Sequence, residues 1–490
     1  MKANLLHLLP KSLVLSGLML GGCVAVGTPP EYVEPQLGIE LPETWGSGTE
    51  AQPVDGSWWS FLEDPVLSAL VEEALASNHD LKQAAARLEI AAAQARIAGA
   101  VLYPTLEAGL NGQRQAQNFS ALPVPGVGSG AQSVVSNSFG VSLNFRWELD
   151  IWGRLRSGAR AAAADLQAEH GAYRAASLSL AAQAAKAWYA LTEARLQLRL
   201  AQQTVASFAD TFRQATDRSA AGIQAPVDEH LAQANLAAAQ ASLQVRAEVF
   251  SRSAKQLEIL LGRYPSAELE GAAELAELTQ SIPTGIPAGV IRRRADVGTL
   301  ERQLAATLQR IDASKAALYP RLTLTGSAGS STSEFKDLLS GDFFVWNIAG
   351  GLVQPLFEGG RLRAEVQLAE GRAGAAASAF AQGVLEALFE VEASLALERF
   401  LAGQEAALIR ATAASKQAVE ISGNRYSQGI ETLLVVLESQ RRALDAESSL
   451  LSVRRARLDA RLDLHLALGG GLAAHPSEVS ITRAERGAFQ

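Results

Sequence analysis

The chain has 490 residues, 48% of them hydrophobic and only 19% charged, with a formal net charge of −8. The acidic balance excludes the basic footprint of a nucleic-acid partner, and a single cysteine excludes a disulfide framework. Past residue 23 no run of about 18 apolar residues occurs, so no transmembrane helix is expected and any membrane crossing must use strands.

At the start, Lys2 and Lys11 flank an apolar stretch from Leu13 to Leu20 that runs into Gly21-Gly22-Cys23. Such a stretch is too short to span a bilayer and ends in small residues, as secretory signals do. Leu20-Gly21-Gly22-Cys23 resembles a bacterial lipobox. That makes residues 1–22 a signal peptide and Cys23 an acylated mature N-terminus, the acyl lipid being the only attached group expected. Val24, not Asp, follows Cys23, which under the sorting rule for such lipoproteins favours the outer membrane. The plainer alternative is an ordinary signal peptide followed by a lone buried or free cysteine.

Residues 23–63 read as an N-terminal periplasmic segment. Asp64 as N-cap with Pro65 at the first helical position then opens a helix through Leu67, Leu70, Val71 and Leu75 to about Ala100, where Tyr103-Pro104 stops it. Leu106, Ala108 and Leu110 alternate with polar residues, as do Phe139, Val141, Leu143, Phe145 and Trp147, which predicts a hairpin over 105–149 with a loop from Gln113 to Ser138. From Arg154 to about Ala220 there is no proline, and a helix of that length reaches roughly 100 Å. The chain turns at Gly222 and returns as a helix from Pro226 to Leu261, with Leu236, Leu243, Phe250 and Leu257 at seven-residue spacing. A linker, 262–290, closes this first unit, 64–261.

Residues 291–469 repeat the series. A helix leads to a hairpin over 321–354 whose loop, Ser330 to Asp342, is shorter. A second proline-free helix runs from Arg361 to about Ser422. Gly429 turns the chain into a return helix from Glu431 to Leu468, with Leu437, Leu444, Leu451 and Leu458 in heptad register. Residues 470–490 form a C-terminal tail. Tyr103-Pro104 returns as Tyr319-Pro320, at an offset of 216 (319 − 103). Gly153-Arg154-Leu155-Arg156 returns as Gly360-Arg361-Leu362-Arg363, and Gly222-Ile223 as Gly429-Ile430, both at an offset of 207 (360 − 153; 429 − 222). One segment between these landmarks differs by nine residues. An ancient tandem duplication accounts for the pattern.

Strands of about ten residues have the length that a tilted strand needs to cross the hydrocarbon layer. Two hairpins supply four strands, too few to close a barrel, and open edges in lipid leave backbone groups unpaired at several kcal/mol each. The chain must therefore oligomerise: two copies give eight strands with a filled interior, three give twelve and a passage. These arguments alone leave dimer and trimer open. The expected class is an α+β membrane protein whose long antiparallel coiled helices, packing on two faces, can tile a curved wall beside the strands.

Eight segments in order resemble the TolC-like outer-membrane factors, specifically the NodT-type lipoproteins that serve resistance-nodulation-division pumps. They are Cys23 with Gly27-Thr28-Pro29-Pro30-Glu31-Tyr32, Trp58-Trp59 to Asp64-Pro65, Asn78-His79-Asp80-Leu81, Tyr103-Pro104, Trp147 through Arg154, Arg292-Arg293-Arg294-Ala295-Asp296-Val297, Gln354 through Arg361, and Arg425-Tyr426-Ser427-Gln428-Gly429, the sixth departing from the family at Ala295, where proline is usual. The resemblance implies a homotrimer with a twelve-stranded β-barrel in outer-membrane lipid, a periplasmic α-barrel beneath it that forms a twelve-helix tunnel, and a mixed equatorial belt. It also implies an inner-membrane pump and a periplasmic adaptor that grips the helical tips near Gly222 and Gly429. At a tip closed at rest, the family's gating tyrosine carries to Tyr426, and its acidic positions to Val435 and Glu438. Asp228, which the internal repeat sets against Val435 (435 − 228 = 207), is a candidate to restore the missing charge. Carboxylates ringed about a three-fold axis would focus field and bind cations.

Catalysis finds no support. The histidines His7, His79, His170, His230, His465 and His475 are scattered, with no metal-ligand spacing and no phosphate-cradling glycine loop. Gly359-Gly360 reads as a bend. The twin pairs Arg441-Arg442 and Arg454-Arg455 read as outer tunnel faces or adaptor contacts. Two other functions fit less well: a duct for type I protein secretion, and a non-conducting coiled-coil tether, which has no use for lipid-length strands.

Overall fold

A computed structural model describes Trp45, Trp59 and residues 64–119, 132–278 and 287–470. Cys23, the signal segment, most of 23–63, residues 279–286 of the linker and the tail 471–490 lie outside the described residues. The elements are α1 (Pro65–Ser77), α2 (His79–Ala100), β1 (Thr105–Phe119), β2 (Gln132–Leu149), α3 (Arg154–Ala220), α4 (Pro226–Leu260), α5 (Pro287–Arg293), α6 (Ala295–Ala316), β3 (Arg321–Thr332), β4 (Phe344–Val353), α7 (Arg361–Ser427) and α8 (Leu433–Ala467). Both long helices have 67 residues and both return helices 35. No described helix is long and apolar enough to cross a membrane.

The single helix expected from Asp64 to Ala100 is two. Asp64 caps α1 as predicted, accepting from the Val66 and Leu67 amides at 3.0 Å, and its other oxygen accepts from the Trp188 indole at 2.9 Å. At Asn78 the backbone becomes extended (φ −60°, ψ 132°), ending α1 and capping α2 through the Asp80 and Leu81 amides. Its Nδ2 donates to the carbonyl of Leu260, the last residue of α4. Arg294 stands at the equivalent break between α5 and α6 and donates to the carbonyl of Ala467, the last residue of α8. A polar side chain thus ties each break to the free carbonyl end of a return helix.

These joints stack α2 above α4 and α6 above α8, so the chain becomes a wall of four helical lanes. α3 packs against α2, α4, α6 and α8, while α7 packs against α6 and α8. The lanes run in the order α2/α4, α3, α6/α8, α7. Close approach in the upper wall rests on alanine, with Ala95 of α2 buried against Ala163 of α3. The outer lanes stay unpartnered and apolar: Ile97 of α2 is 69% exposed, Val245 and Ile259 of α4 60%, and Phe389 of α7 71%.

The four strands form one antiparallel sheet in the order β1-β2-β3-β4, which carries the same edge order as the wall. Register sets the faces. Leu106 faces Phe145, Leu110 faces Val141, Trp147 faces Leu324 and Ala328 faces Trp346, all on one face. The opposite face carries Asn111, Ser142, Thr325 and Asn347. Two loops are shorter than expected: β1 continues to Phe119, β2 begins at Gln132, and β3 extends to Thr332. Beyond Gly112 and Phe139 the first hairpin is mostly Gln, Asn, Ser, Arg and Ala, so the ladder outlasts the apolar band by seven residue pairs.

The main core gathers Trp188, Leu191, Leu257, Leu261, Leu458 and Leu462 where α3, α4 and α8 meet the linker. Glu258, repeat partner of His465 (465 − 258 = 207), is 2% exposed and accepts the Ala267 and Glu268 amides at 2.8 Å, pinning that linker. His465 is itself buried, and burial, together with the Arg461 charge, lowers its pKa to about 4. A histidine depressed on folding stabilises fully above its unfolded value near 6.5 and loses that contribution as pH falls toward the folded value. About 2 kcal/mol is lost by pH 5. Thermal melts from pH 7.5 to 4.5 are expected to show this slope, and His465→Leu to flatten it.

Candidate functional site

The far end of the wall, where α3 turns into α4 and α7 into α8, brings the sequence-derived candidates to one place. Gly222 (φ 69°) and Gly429 (φ 75°) occupy the left-handed position that ends each long helix. The Ile223 and Ile430 amides close the same bond, at 2.9 Å, to the Arg218 and Arg425 carbonyls. Glycine is needed because a side chain at positive φ is strained. Ile223 (66%) and Ile430 (59%) stand exposed at the two turns.

Between the turns lies a small core of Phe208, Ala215, Ala232, Tyr426, Leu433, Val436 and Leu437, drawn from all four long helices. Tyr426 is 1% exposed; its hydroxyl donates to Gln224 Oε1 at 2.7 Å. Arg218 Nη1 donates to the Tyr426 carbonyl, and the guanidinium lies 4.7 Å from the centre of the tyrosine ring. Burial raises the Tyr426 pKa; the Gln224 hydrogen bond and Arg218 oppose this, and the Asp228 charge adds to it. Asp228, in the first turn of α4, makes no side-chain hydrogen bond or ion pair to that cluster among the described residues. Arg218 and Gln224 were not singled out from sequence: Arg218 resembles a generic cation in a helix's last turn, and Gln224 an ordinary turn residue.

Glu438 sits apart from that cluster's hydrogen bonds. Its carboxylate takes Arg441 Nε at 3.0 Å and Arg442 Nε at 2.7 Å from its own helix, and these bonds hold it below the usual carboxylate range. It is a neutralised carboxylate, and the Arg441-Arg442 pair is committed to it and to Asp445. Arg454 likewise binds Glu405 of α7, and Arg455 binds Asp459 and Glu193. With Arg457 and Arg461 on Glu398, they make a charged ladder between α8 and its neighbours, in which Arg454 keeps an exposed side chain. Among the described residues no group of three His, Cys, Asp or Glu is placed to hold a metal ion.

At the other end, where strands meet helices, aromatic residues are exposed. Trp152 stacks on Tyr319 at 4.9 Å and donates to the Pro320 carbonyl at 2.8 Å. Leu356 and Phe357, in the turn between β4 and α7, are 93% and 90% exposed. Asp150 caps α3 through the Leu155 and Arg156 amides.

The chain matches the family described as outer membrane efflux protein over residues 70–263 and 288–470. It is 32% identical to outer membrane protein OprJ of Pseudomonas aeruginosa, covering 94% of this chain and 95% of OprJ. It is 31% identical to the pyoverdine export outer membrane protein OpmQ of Pseudomonas putida, covering 95% and 98%. Among solved structures, the open state of the Neisseria gonorrhoeae MtrE outer membrane channel aligns with a TM-score of 0.79 at 29% identity, covering 91% of this chain and 98% of MtrE.

Proposed function

The chain belongs to the outer membrane efflux protein family, and from that premise we propose that it is the outer-membrane exit duct of a tripartite efflux system. The observation that carries this reading is an incomplete closed surface. Four strands and four helical lanes end on the same two edges, β1 with α2/α4 and β4 with α7, and both edges are open and apolar. Three copies joined edge to edge give a twelve-stranded barrel above a twelve-lane tunnel, which removes every strand edge from lipid and leaves a passage. The apolar sheet face meets lipid, the polar face lines water, and Trp152, Tyr319, Leu356 and Phe357 sit at the periplasmic lipid interface. Tandem duplication accounts for the matched helix lengths. Acylation of Cys23 adds an anchor.

The tips, with Ile223 and Ile430 exposed beside Gly222 and Gly429, receive a periplasmic adaptor that links the duct to an inner-membrane resistance-nodulation-division pump. Selection lies in the pump; the duct is passive and performs no catalysis. Tyr426, Gln224 and Arg218 hold the two hairpins of each chain together at the closed end. Planar-bilayer recording of the purified protein tests the duct, which a tether fails by giving no ion steps. In the same assay Tyr426→Phe with Arg218→Ala removes two side-chain hydrogen bonds of about 1 kcal/mol each. If both bonds are lost on opening, the resting open fraction is expected to rise roughly thirtyfold. Glu438→Ala is expected to leave it nearly unchanged, because that carboxylate is already bound by its own helix.

A further inference from the structure

The water-lining face of the sheet is uneven in charge, and this inference rests on the barrel reading above. From Gly109 to Gln117 in β1, and at the matching inward positions of the other strands, that face carries only Gly, Ser, Thr, Asn, Gln, Ala and Val. Its charges are confined to the helix-bearing end: Glu107, Arg146, Glu148 and Arg321. Glu148 is neutralised by Arg154 at 2.7 Å. Arg146, Arg321 and Glu107 are exposed and have no ion-pair partner among the described residues. Register sets Arg146 against Thr105 on one side and Thr325 on the other, with Glu107 one diagonal step away; Arg321 faces Val353. Two unpaired cations against one carboxylate leave an excess of one positive charge per chain at the barrel's base.

We infer that Arg146 and Arg321 of the assembled chains form an anion-attracting collar where the barrel meets the helical tunnel, so that this duct passes anionic solutes more readily than cationic ones of equal size. Charges on the wall of a water-filled, low-dielectric bore focus field across it and act within a Debye length of about 8–10 Å. The water face of the strands above the collar is uncharged; the next charges lie in the β3–β4 loop at the outer mouth, where Glu334 pairs with Lys336, and Asp337 and Asp342 remain. That loop starts about seven residues along β3 from Thr325, beyond a Debye length at physiological salt, so the comparison with Arg146→Gln and Arg321→Gln isolates the collar's share. The collar is separate from the helical tip, where Glu438 is already neutralised.

The test places a cysteine beside the collar. Thr325→Cys sits opposite Arg146 on the water face, and Leu324→Cys, its neighbour, on the lipid face. Channels in planar bilayers receive sulfonatoethyl or trimethylammonioethyl methanethiosulfonate from the extracellular side, with rates normalised to a small free thiol and the protein without the added cysteine as blank. At low salt the anionic reagent is expected to modify Thr325→Cys several-fold faster than the cationic one, as a wall potential of about one kT requires. The ratio is expected to fall toward unity at about 1 M salt, where the Debye length is roughly 3 Å. Arg146→Gln with Arg321→Gln should abolish or reverse it. If that pair fails to assemble, the salt dependence of the parent still decides. Equal normalised rates at both salt concentrations, or a faster cationic reagent, overturn the collar while leaving the duct standing. Modification of Leu324→Cys in place of Thr325→Cys inverts the faces and overturns the barrel reading itself.

Discussion

Val141→Arg is expected to abolish membrane insertion of the assembled protein, while Ser142→Arg, one residue along the strand, is expected to be tolerated. Val141 lies between Leu110 on β1 and Ser330 on β3, within the apolar band that runs from Trp147 to Phe139. An arginine held there faces the middle of the hydrocarbon layer at a cost of about 2–4 kcal/mol per chain. Any closed assembly repeats that cost in every copy, which makes it prohibitive. Ser142 pairs with Gly109 and Gly329 on the other face, where a long cation reaches water. Heat-modifiable mobility of the outer-membrane fraction separates the two variants. Equal loss in both, or in neither, would show that the sheet's faces are not divided between lipid and water.

Arg294→Ala is expected to cost about 2–4 kcal/mol of stability, less than a fully buried pair because Asp296 and Glu390 are each half exposed. The Arg294 side chain is 9% exposed and spends three nitrogens: Nε and Nη2 on Asp296 at 3.1 and 2.6 Å, and Nη1 on Glu390 at 2.6 Å and the Ala467 carbonyl at 3.2 Å. Burial opposes its charge, yet the bonds to Asp296 and Glu390 raise its pKa. Asp296 is held below the usual carboxylate range, because the Arg294 bond outweighs burial. The Asp296 contribution is therefore full above its unfolded pKa and lost as pH falls through the depressed folded value. Arg294→Lys keeps the charge but loses the fork, so it should recover only part of the loss. Asn78→Ala, at the equivalent joint, should cost about 1 kcal/mol through the lost α2 cap. Loss of helical circular dichroism on heating in detergent ranks the three. An unchanged midpoint for Arg294→Ala would show that this joint does not hold α8 to α6.

Much of the architecture was legible because the sequence states it twice. The offset of 207 runs through Gly153, Gly222 and Leu261 to Gly360, Gly429 and Leu468, and the long helices keep equal lengths. The break at Asn78 was hidden because apolar spacing continues across it, and only the side chain's double role as cap and tether reveals it. The upper part of β1 and β2 was hidden because alternation ends where the apolar band ends; Gln113 to Asn118 pair in register without a lipid face to pattern them. At the tip, Tyr426 was legible through resemblance, whereas Arg218 and Gln224 acquire meaning only when two hairpins 200 residues apart in sequence meet. Glu438 shows the converse: a carboxylate at a charge-bearing position of the family is neutralised by arginines three and four residues on, a spacing visible in sequence but silent about which partner the side chain takes.

Native mass spectrometry of the detergent-extracted, full-length mature protein tests the central claim most directly. The open edges of sheet and wall require an oligomer, and the duct proposed above, with its twelve-stranded passage, predicts three chains in one particle and no stable smaller species. A monomer or a dimer as the folded, inserted form would contradict it.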